Sequence, residues 1–353
     1  MIVKGRELCP NCMCSAQGDR CPHCGGDLHR ENPAFLLPVG AGLYGGEGSR
    51  YLLGATLGQG GFGTTYIGIE QETGRRVAVK EYFPTRCARR AQDGVTVEAL
   101  PGMDEVYAGG RYSFVKEARV LSGLEGMPSV VQALAYLETN NTAYLVMEYL
   151  DGTPLHRMVD PKAGKRIPPE KLLPPLKKLL YDVSLLHEKK VIHRDIAPDN
   201  IMWMPDNTLK LLDFGSARSM EDGKSMTVML KHGFAPVEQY QSHGQGTYTD
   251  VYAMAATIYY CLTAVVPVQS TERLLGGSSA VIKRPTELGV ALTPEEEEAL
   301  LWGLEVLPQA RPQTMGDFAR RLFPDLAAQF IAEPPPAPRP GFWRRLLDLL
   351  RGR

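Results

Sequence analysis

A chain of 353 residues has room for roughly two domains of about 150 residues each. With 44% hydrophobic and 22% charged residues its composition is that of an ordinary globular protein, which excludes a wholly disordered, collagen-like or multi-span membrane chain. Lysine plus arginine number 39 and aspartate plus glutamate 40, a net charge of −1, so nucleic acid is not an implied general partner.

The start, Met1-Ile-Val-Lys-Gly-Arg-Glu-Leu-Cys9, lacks the apolar run of a secretory signal, and the expected location is cytoplasmic. Cys9, Cys12, Cys14, Cys21 and Cys24 crowd the first 24 residues, whereas Cys87 and Cys261 stand alone. Cys9-Pro-Asn-Cys12 and Cys21-Pro-His-Cys24-Gly-Gly are two C-x-x-C turns, each able to present two thiolates to one tetrahedral zinc ion. Only eight residues separate the turns, so residues 1–30 are expected to form a very small zinc ribbon whose fold depends on the metal. A disulfide pair or an unstructured tail is the competing reading, and a cytoplasmic setting argues against disulfides. Cys14 and His23 stay outside the expected ligand set. Residues 31–49, with Pro33, Pro38, Gly40, Gly42, Gly45, Gly46 and Gly48, read as a linker that lets the ribbon move independently.

Tyr51 to Leu57 alternates as a strand does, and Gly58-Gln-Gly60-Gly-Phe-Gly63 leads to a second strand at Ile67 to Ile69. A lone G-x-G-x-x-G is a weak signal. Strand residues rather than a helix follow it, which disfavours a dinucleotide site and suggests a nucleotide lid. Arg76-Val-Ala-Val-Lys80 is a strand whose lysine must lie on the inner face to reach a phosphate. Phe114-Val-Lys-Glu117-Ala-Arg-Val-Leu121 has apolar residues at helical spacing. Ala143 to Leu150 is a strand that runs into a turn at Asp151-Gly152. His193-Arg-Asp195-Ile-Ala-Pro-Asp-Asn200 follows, and Asp213-Phe-Gly215 comes thirteen residues after Asn200. The uncharged run from Val251 to Ser270 is long enough for a membrane span, but Tyr252, Thr257, Tyr259, Tyr260, Thr263 and Pro267 favour a buried core helix. Residues 325–340 form a proline-rich linker containing Glu333-Pro-Pro-Pro-Ala-Pro-Arg-Pro340. In the last piece, 341–353, a helix would put Phe342, Trp343, Leu346, Leu347, Leu349 and Leu350 on one arc, with Arg344, Arg345, Asp348 and Arg351 opposite. Such a basic amphipathic helix can dock on a protein, this chain or a partner, or lie on an anionic membrane surface.

In these motifs and their order, from about Tyr51 to Phe323, the chain resembles the eukaryotic-type (Hanks-type) protein kinases. With Lys80-Glu-Tyr-Phe-Pro84 and the cysteine turns it looks like a bacterial serine/threonine kinase with an N-terminal zinc ribbon. The resemblance implies an α+β fold over residues 50–324, a small β-rich lobe and a large helical lobe with ATP between them. It also implies transfer of the γ-phosphate of ATP to serine or threonine hydroxyls of protein substrates in bacterial signalling, with magnesium as cofactor. Phosphoryl transfer needs positioning and charge neutralisation more than covalent work by the protein.

By resemblance, ATP is contacted by Leu57, Gly58, Gly60, Gly63, Thr65, Ala78, Lys80, Met147 as gatekeeper, Glu148 and Leu150. Glu117 would hold Lys80, Asn200 and Asp213 would ligate magnesium, and Asp195 would orient the substrate hydroxyl and accept its proton. Glu238 and Arg311 match a buried structural ion pair, and Asp250 matches the aspartate that opens the central helix. Arg194 matches an arginine that pairs with a phosphorylated residue on the segment from Asp213 to Glu238, where Ser225 and Thr227 are the candidate autophosphorylation sites. The chain departs from the family pattern at Ala197, where a lysine usually contacts the transferring phosphate, and at Lys231, where a threonine is usual. Lys231 is therefore expected to replace the missing charge. Thr65 and Val237 are lesser departures. A catalytically weak, pseudokinase-like ATP-binding scaffold is the alternative, and Ala197 is its supporting feature. Pro198 follows the serine/threonine rather than the tyrosine pattern.

Overall fold

In Arg76-Val-Ala-Val-Lys-Glu-Tyr82, Val77 and Val79 are fully buried while Ala78 and Lys80 between them are half-buried, the period-two pattern of a strand with two different faces. Strands of this kind build the first of two units, seen in a computed structural model that describes residues 1–3, 5–45, 50–61, 63–214, 218–219, 230–241, 244–276 and 281–326. That unit comprises Met1–Ser122 and Gln132–Leu150; the second comprises Gly123–Val131 and Asp151–Arg353.

The first unit opens with a two-stranded pair, β1 (Ile2–Val3) and β2 (Arg6–Glu7). Its main sheet uses β3 (Gly42–Tyr44), β4 (Arg50–Gly60), β5 (Gly63–Glu70) and β6 (Arg76–Tyr82). A small hairpin of β7 (Ala88–Arg90) and β8 (Val97–Ala99) then leads to helix α1 (Asp104–Ser122), and β9 (Ala133–Thr139) and β10 (Thr142–Glu148) complete the unit. The sheet is antiparallel in the order β3-β4-β5-β6-β10-β9. Helix α1 buries Tyr107, Phe114, Ala118 and Leu121, a stripe at helical spacing, together with Glu117. The Tyr82 ring meets Tyr107 and Phe114 at centroid distances of 5.2 and 5.8 Å, and its hydroxyl donates to the Tyr107 carbonyl, 3.0 Å away.

Two sequence expectations are corrected here. The two strands that bracket the glycines are longer than Tyr51 to Leu57 and Ile67 to Ile69: β4 runs on to Gly60 and β5 starts at Gly63, with Gly58 opposite Thr65 and Gly60 opposite Gly63. A Cβ on Gly63 would lie 2.0 Å from the Glu81 carbonyl oxygen, so close strand packing requires glycine there. Nor is the segment after Arg30 an independent linker. Leu36 and Leu37 are buried, β3 extends the sheet, and Asn32 bonds its side chain to the carbonyls of Leu37 and Gly54 and to the N–H of Thr56. The apolar leucines and the amide give this stretch a fixed seat that its glycine and proline content conceals.

The cysteine-bearing turns are seated as well. Leu8 and Met13 pack with Ile67 and Ile69, flanked by Met1, Leu52 and Tyr149, and the Ala55 N–H donates to the Pro10 carbonyl, 2.8 Å away. Gly54 permits this approach, because a Cβ there would lie 2.4 Å from both the Pro10 oxygen and the Met13 methyl. Burial of each such side chain contributes about 1.5–3 kcal/mol.

The second unit contains β11 (Thr153–Pro154), α2 (Leu155–Met158), α3 (Pro169–Glu188), β12 (Val191–Ile192), β13 (Ile201–Trp203), β14 (Leu209–Leu211) and β15 (Arg218–Ser219). Helices α4 (Thr247–Thr263), α5 (Ser270–Leu275), α6 (Pro294–Gly303) and α7 (Met315–Leu322) follow. Strands β11-β13-β14 form one antiparallel sheet and β12-β15 another, while α7 packs on α3, and α6 on α4 and α7. Helix α4 is buried along Thr249 to Thr263, which accounts for the absence of charged residues after Asp250. The uncharged run does not stay helical to Ser270: Ala264 takes a left-handed conformation (φ 59°) and Val265 and Val266 are exposed. Among the described residues no helix is long and apolar enough to cross a membrane. Asp325 still contacts this unit through a 2.6 Å pair with Lys177, so the proline-rich linker starts later than 325. Ser225, Thr227 and the 341–353 segment lie outside the described residues.

Candidate active site and cysteine cluster

In the first unit, Thr65 stands opposite Lys80 and Ala78 opposite Met147 across neighbouring strands. Strand alternation puts these four half-buried residues on one face and Val77, Val79 and Glu81 on the other. Lys80 Nζ donates to Glu117 Oε1 at 2.7 Å, with side-chain exposures of only 13% and 6%. A pair this enclosed orients the ammonium toward the Thr65 face, and its attraction is far less screened than on the surface. Leu57, Gly58 and Gly60 are exposed at the tip of the β4-β5 hairpin, Gly63 is buried, and Leu150 is buried at the end of β10. Glu148 accepts the Gln132 N–H at 2.9 Å, and the strand register shifts between Val146 and Met147.

One buried group on the opposite face has no counterpart in the sequence reading. Glu81 is fully buried and accepts four hydrogen bonds: two from Arg90 at 2.7 and 2.8 Å, and one each from the hydroxyls of Tyr66 and Tyr144 at 3.0 Å. The Arg90 guanidinium also covers the Phe83 ring at 4.4 Å. The available signal was the alternation itself, since Val77-x-Val79-x-Glu81 puts a carboxylate on the apolar face, where it must be paired.

In the second unit, Asp195 is held at both oxygens. Asn200 Nδ2 donates to Oδ2 at 2.8 Å, and Lys231 Nζ lies 3.1 Å from Oδ1 and 3.0 Å from Asp199. Burial raises the Asp195 carboxyl above its ordinary value, while the charges of Lys231 and His193 work the other way. For Lys231 burial opposes the charged form, but Asp195 and Asp199 outweigh it, and its pKa is raised. His193 Nε2 donates to the Leu212 carbonyl at 2.8 Å, which leaves Nδ1 to accept the Asp195 N–H at 3.3 Å. Arg194 and Asp213 take positive φ angles of 69° and 50°, sparsely populated for such residues. Arg194 Nε donates to Gln245 Oε1.

Asp250 ties this loop to α4. It is fully buried and accepts the N–H groups of His193 and Arg194 and the Nε2 of His187, each at 2.8 Å. Burial works against its ionisation, but His187, the charge of His193 and the Arg194 amide prevail and hold the carboxyl below its ordinary value. Glu238 and Arg311 form a second buried pair at 2.9 and 3.1 Å, closed by Thr249 and by the carbonyls of Tyr248 and Val306.

The sulfurs of Cys9, Cys12, Cys21 and Cys24 all lie within 4.8 Å of one another. Zinc–sulfur bonds of about 2.3 Å in a tetrahedron separate the sulfurs by about 3.8 Å. Cys9 and Cys24 are 3.7 Å apart and Cys12 and Cys21 3.6 Å, so the four residues fit zinc. The two turns repeat one backbone device, Met13 N–H to Cys9 O and Gly25 N–H to Cys21 O. Burial opposes ionisation of Cys21, but the amides of Cys24 and His23 and hydrogen bonds with Cys12 and Cys9 outweigh it and lower its pKa, whereas burial raises those of Cys12 and Cys24. Cys14 and His23 are not in the group.

Residues 51–299 match the family model described as protein kinase domain. A Streptomyces coelicolor protein named "Probable serine/threonine-protein kinase" is 28% identical over 76% of this chain and 38% of its own length. Serine/threonine-protein kinase D of Synechocystis is 30% identical over 62% and 42%, and serine/threonine-protein kinase pkn2 of Myxococcus xanthus 30% identical over 60% and 24%. The chain thus spans less than half the length of these relatives. A solved structure titled "PpkA-294 apo form" is 30% identical, with a TM-score of 0.67 over 81% of this chain and 99% of that one.

Proposed function

This chain belongs to the protein kinase family, and from that premise we propose that it transfers the γ-phosphate of ATP to serine or threonine hydroxyls of proteins. The observation that carries an active rather than a degenerate enzyme is the enclosed 2.7 Å pair of Lys80 with Glu117. A kinase needs this lysine held ready for the α/β-phosphate oxygens before it binds nucleotide productively.

On this reading the Thr65, Ala78, Lys80 and Met147 face receives ATP, with Met147 limiting the depth of the adenine pocket. Leu57, Gly58, Gly60 and Gly63 supply the lid over the phosphates. Glu148 and Leu150 offer backbone groups to the adenine edge. Asn200 uses its Nδ2 on Asp195, so its Oδ1 joins the Asp213 carboxylate as a hard oxygen donor suited to magnesium. Magnesium neutralises phosphate charge when bound. Asp195 orients the acceptor hydroxyl and takes its proton. Cys9, Cys12, Cys21 and Cys24 hold a structural zinc ion. Ser225 and Thr227 are the proposed autophosphorylation sites, and phosphopeptide mapping after incubation with ATP tests them. The apolar arc that Phe342 to Leu350 would form as a helix suits the tail to docking on protein. Sedimentation with anionic vesicles, comparing the full chain with one ending at Pro340, reveals a membrane role instead.

The scaffold reading draws on Ala197, a fully buried methyl where a lysine is usual. Incorporation of γ-labelled phosphate by the full chain with magnesium decides between the two. Loss of that signal in both Asp195→Asn and Asp213→Asn supports the kinase. ATP binding without any incorporation supports the scaffold.

A further inference from the structure

We propose that Lys231 is a catalytic residue, the cation that contacts the transferring phosphoryl group beside Asp195. The inference rests on the kinase reading and deepens it. In the reaction the acceptor hydroxyl oxygen forms a bond to the γ-phosphorus. The bond from that phosphorus to the β,γ-bridging oxygen breaks and its electron pair leaves on ADP, while the hydroxyl proton passes to Asp195. Negative charge on the phosphoryl oxygens must be met by fixed positive groups, and removing one such group typically costs two to three orders of magnitude in turnover.

The loop that carries Asp195 does not provide one from its own next turn. Ala197 is a buried methyl and Asp199 is a second carboxylate. The missing charge comes from a different segment. Lys231 Nζ reaches across to within 3.1 Å of Asp195 Oδ1 and 3.0 Å of Asp199. Its backbone is anchored by a tight turn, since the Lys231 carbonyl accepts the N–H groups of both Phe234 and Ala235 at 3.0 Å. Asp195 is therefore clamped between an amide on one oxygen and an ammonium on the other, and a hydroxyl that hydrogen-bonds to it stands beside that ammonium. In a reactive arrangement the attacked phosphorus lies about 3–3.5 Å from that hydroxyl oxygen, which brings the phosphoryl oxygens within reach of Lys231. Lysine suits the task. It presents three donors on a flexible stem, its side chain is 28% exposed and free to follow an entering group, and Asp199 holds it in place beforehand.

The test compares Lys231→Met, which keeps the stem and removes the charge, with Lys231→Arg and wild type. Phosphate transfer to a generic protein substrate is followed by steady-state kinetics. Lys231→Met is expected to lower kcat about 100-fold with the KM for ATP changed less than about twofold, because the lost contact belongs to the transition state. Lys231→Arg retains most of the activity. Adding Ala197→Lys to Lys231→Met is expected to restore at least about tenfold in kcat by supplying the charge from the other side. Ala197 is buried, so melting temperature and ATP binding are measured alongside; if the double variant does not fold, the contrast of Lys231→Arg with Lys231→Met decides. A Lys231→Met enzyme within about threefold of wild type overturns the proposal, as does a Lys231→Arg enzyme as impaired as Lys231→Met. Wild type as inactive as Asp195→Asn sinks the kinase reading and this inference together. An active wild type, a dead Asp195→Asn and an unaffected Lys231→Met sink only the inference.

Discussion

The carbonyl oxygen of Pro10, between the first two cysteines, accepts a 2.8 Å hydrogen bond from the backbone N–H of Ala55, three residues before Gly58. The cysteine cluster and the strand that leads into the glycine-rich hairpin are thereby one bonded structure, and the Met13 side chain packed on Ile67 reinforces the seam.

On the proposal that the cluster holds zinc, metal removal is expected to be felt in that strand. Chelation of zinc, or Cys12→Ser, should speed amide hydrogen exchange at Ala55 at least about tenfold, equal to about 1.4 kcal/mol of local stability. Exchange at Ala55 that is indifferent to the metal would show that the docked turns hold their shape without it.

The buried Glu81–Arg90 pair should dominate the stability of the first unit. Arg90→Met leaves a fully buried carboxylate without its cation, which costs about 3–5 kcal/mol. The double variant Glu81→Leu with Arg90→Met should recover much of that loss. Urea unfolding of the three proteins checks this, and a single-variant cost below about 1 kcal/mol would contradict it.

Asp250 makes a pH-dependent contribution whose sign is fixed by its lowered pKa. The unfolded carboxyl binds its proton at higher pH than the folded one. The contribution is therefore fully present above the unfolded value, near pH 4, and is lost as pH falls through the folded value. Between pH 5 and about pH 3 the wild type should lose stability more steeply than Asp250→Asn, measured by urea midpoints at each pH. Parallel curves would remove Asp250 from the account.

Lys80→Met and Glu117→Gln test the other pair. The first should lower kcat/KM for ATP by on the order of 100-fold or more, the second by less, because Glu117 acts through Lys80. Nucleotide titration and initial rates separate the two, and equal wild-type rates in both would refute their role.

Much of the site was legible in the sequence because its chemistry depends on residue types at fixed spacing. His193 to Asn200, Asp213, Lys80 and the two C-x-x-C turns announce themselves locally, as does the departure at Ala197. The central helix was legible from the uncharged run after Asp250, although its end at Thr263 was not, because a left-handed Ala264 leaves no compositional mark. Tertiary structure alone decided which distant groups meet. Glycine and proline between Glu31 and Ser49 spoke for a free linker, yet Leu36, Leu37 and Asn32 find partners that exist only once β4 and β5 have paired. Glu81 and Arg90 look like surface charges until strand alternation and a nearby hairpin bury them together. Spacing in the chain determines which chemistry is present; burial and long-range contact energies, which depend on groups far apart in sequence, determine where each charge is neutralised and which segments are held.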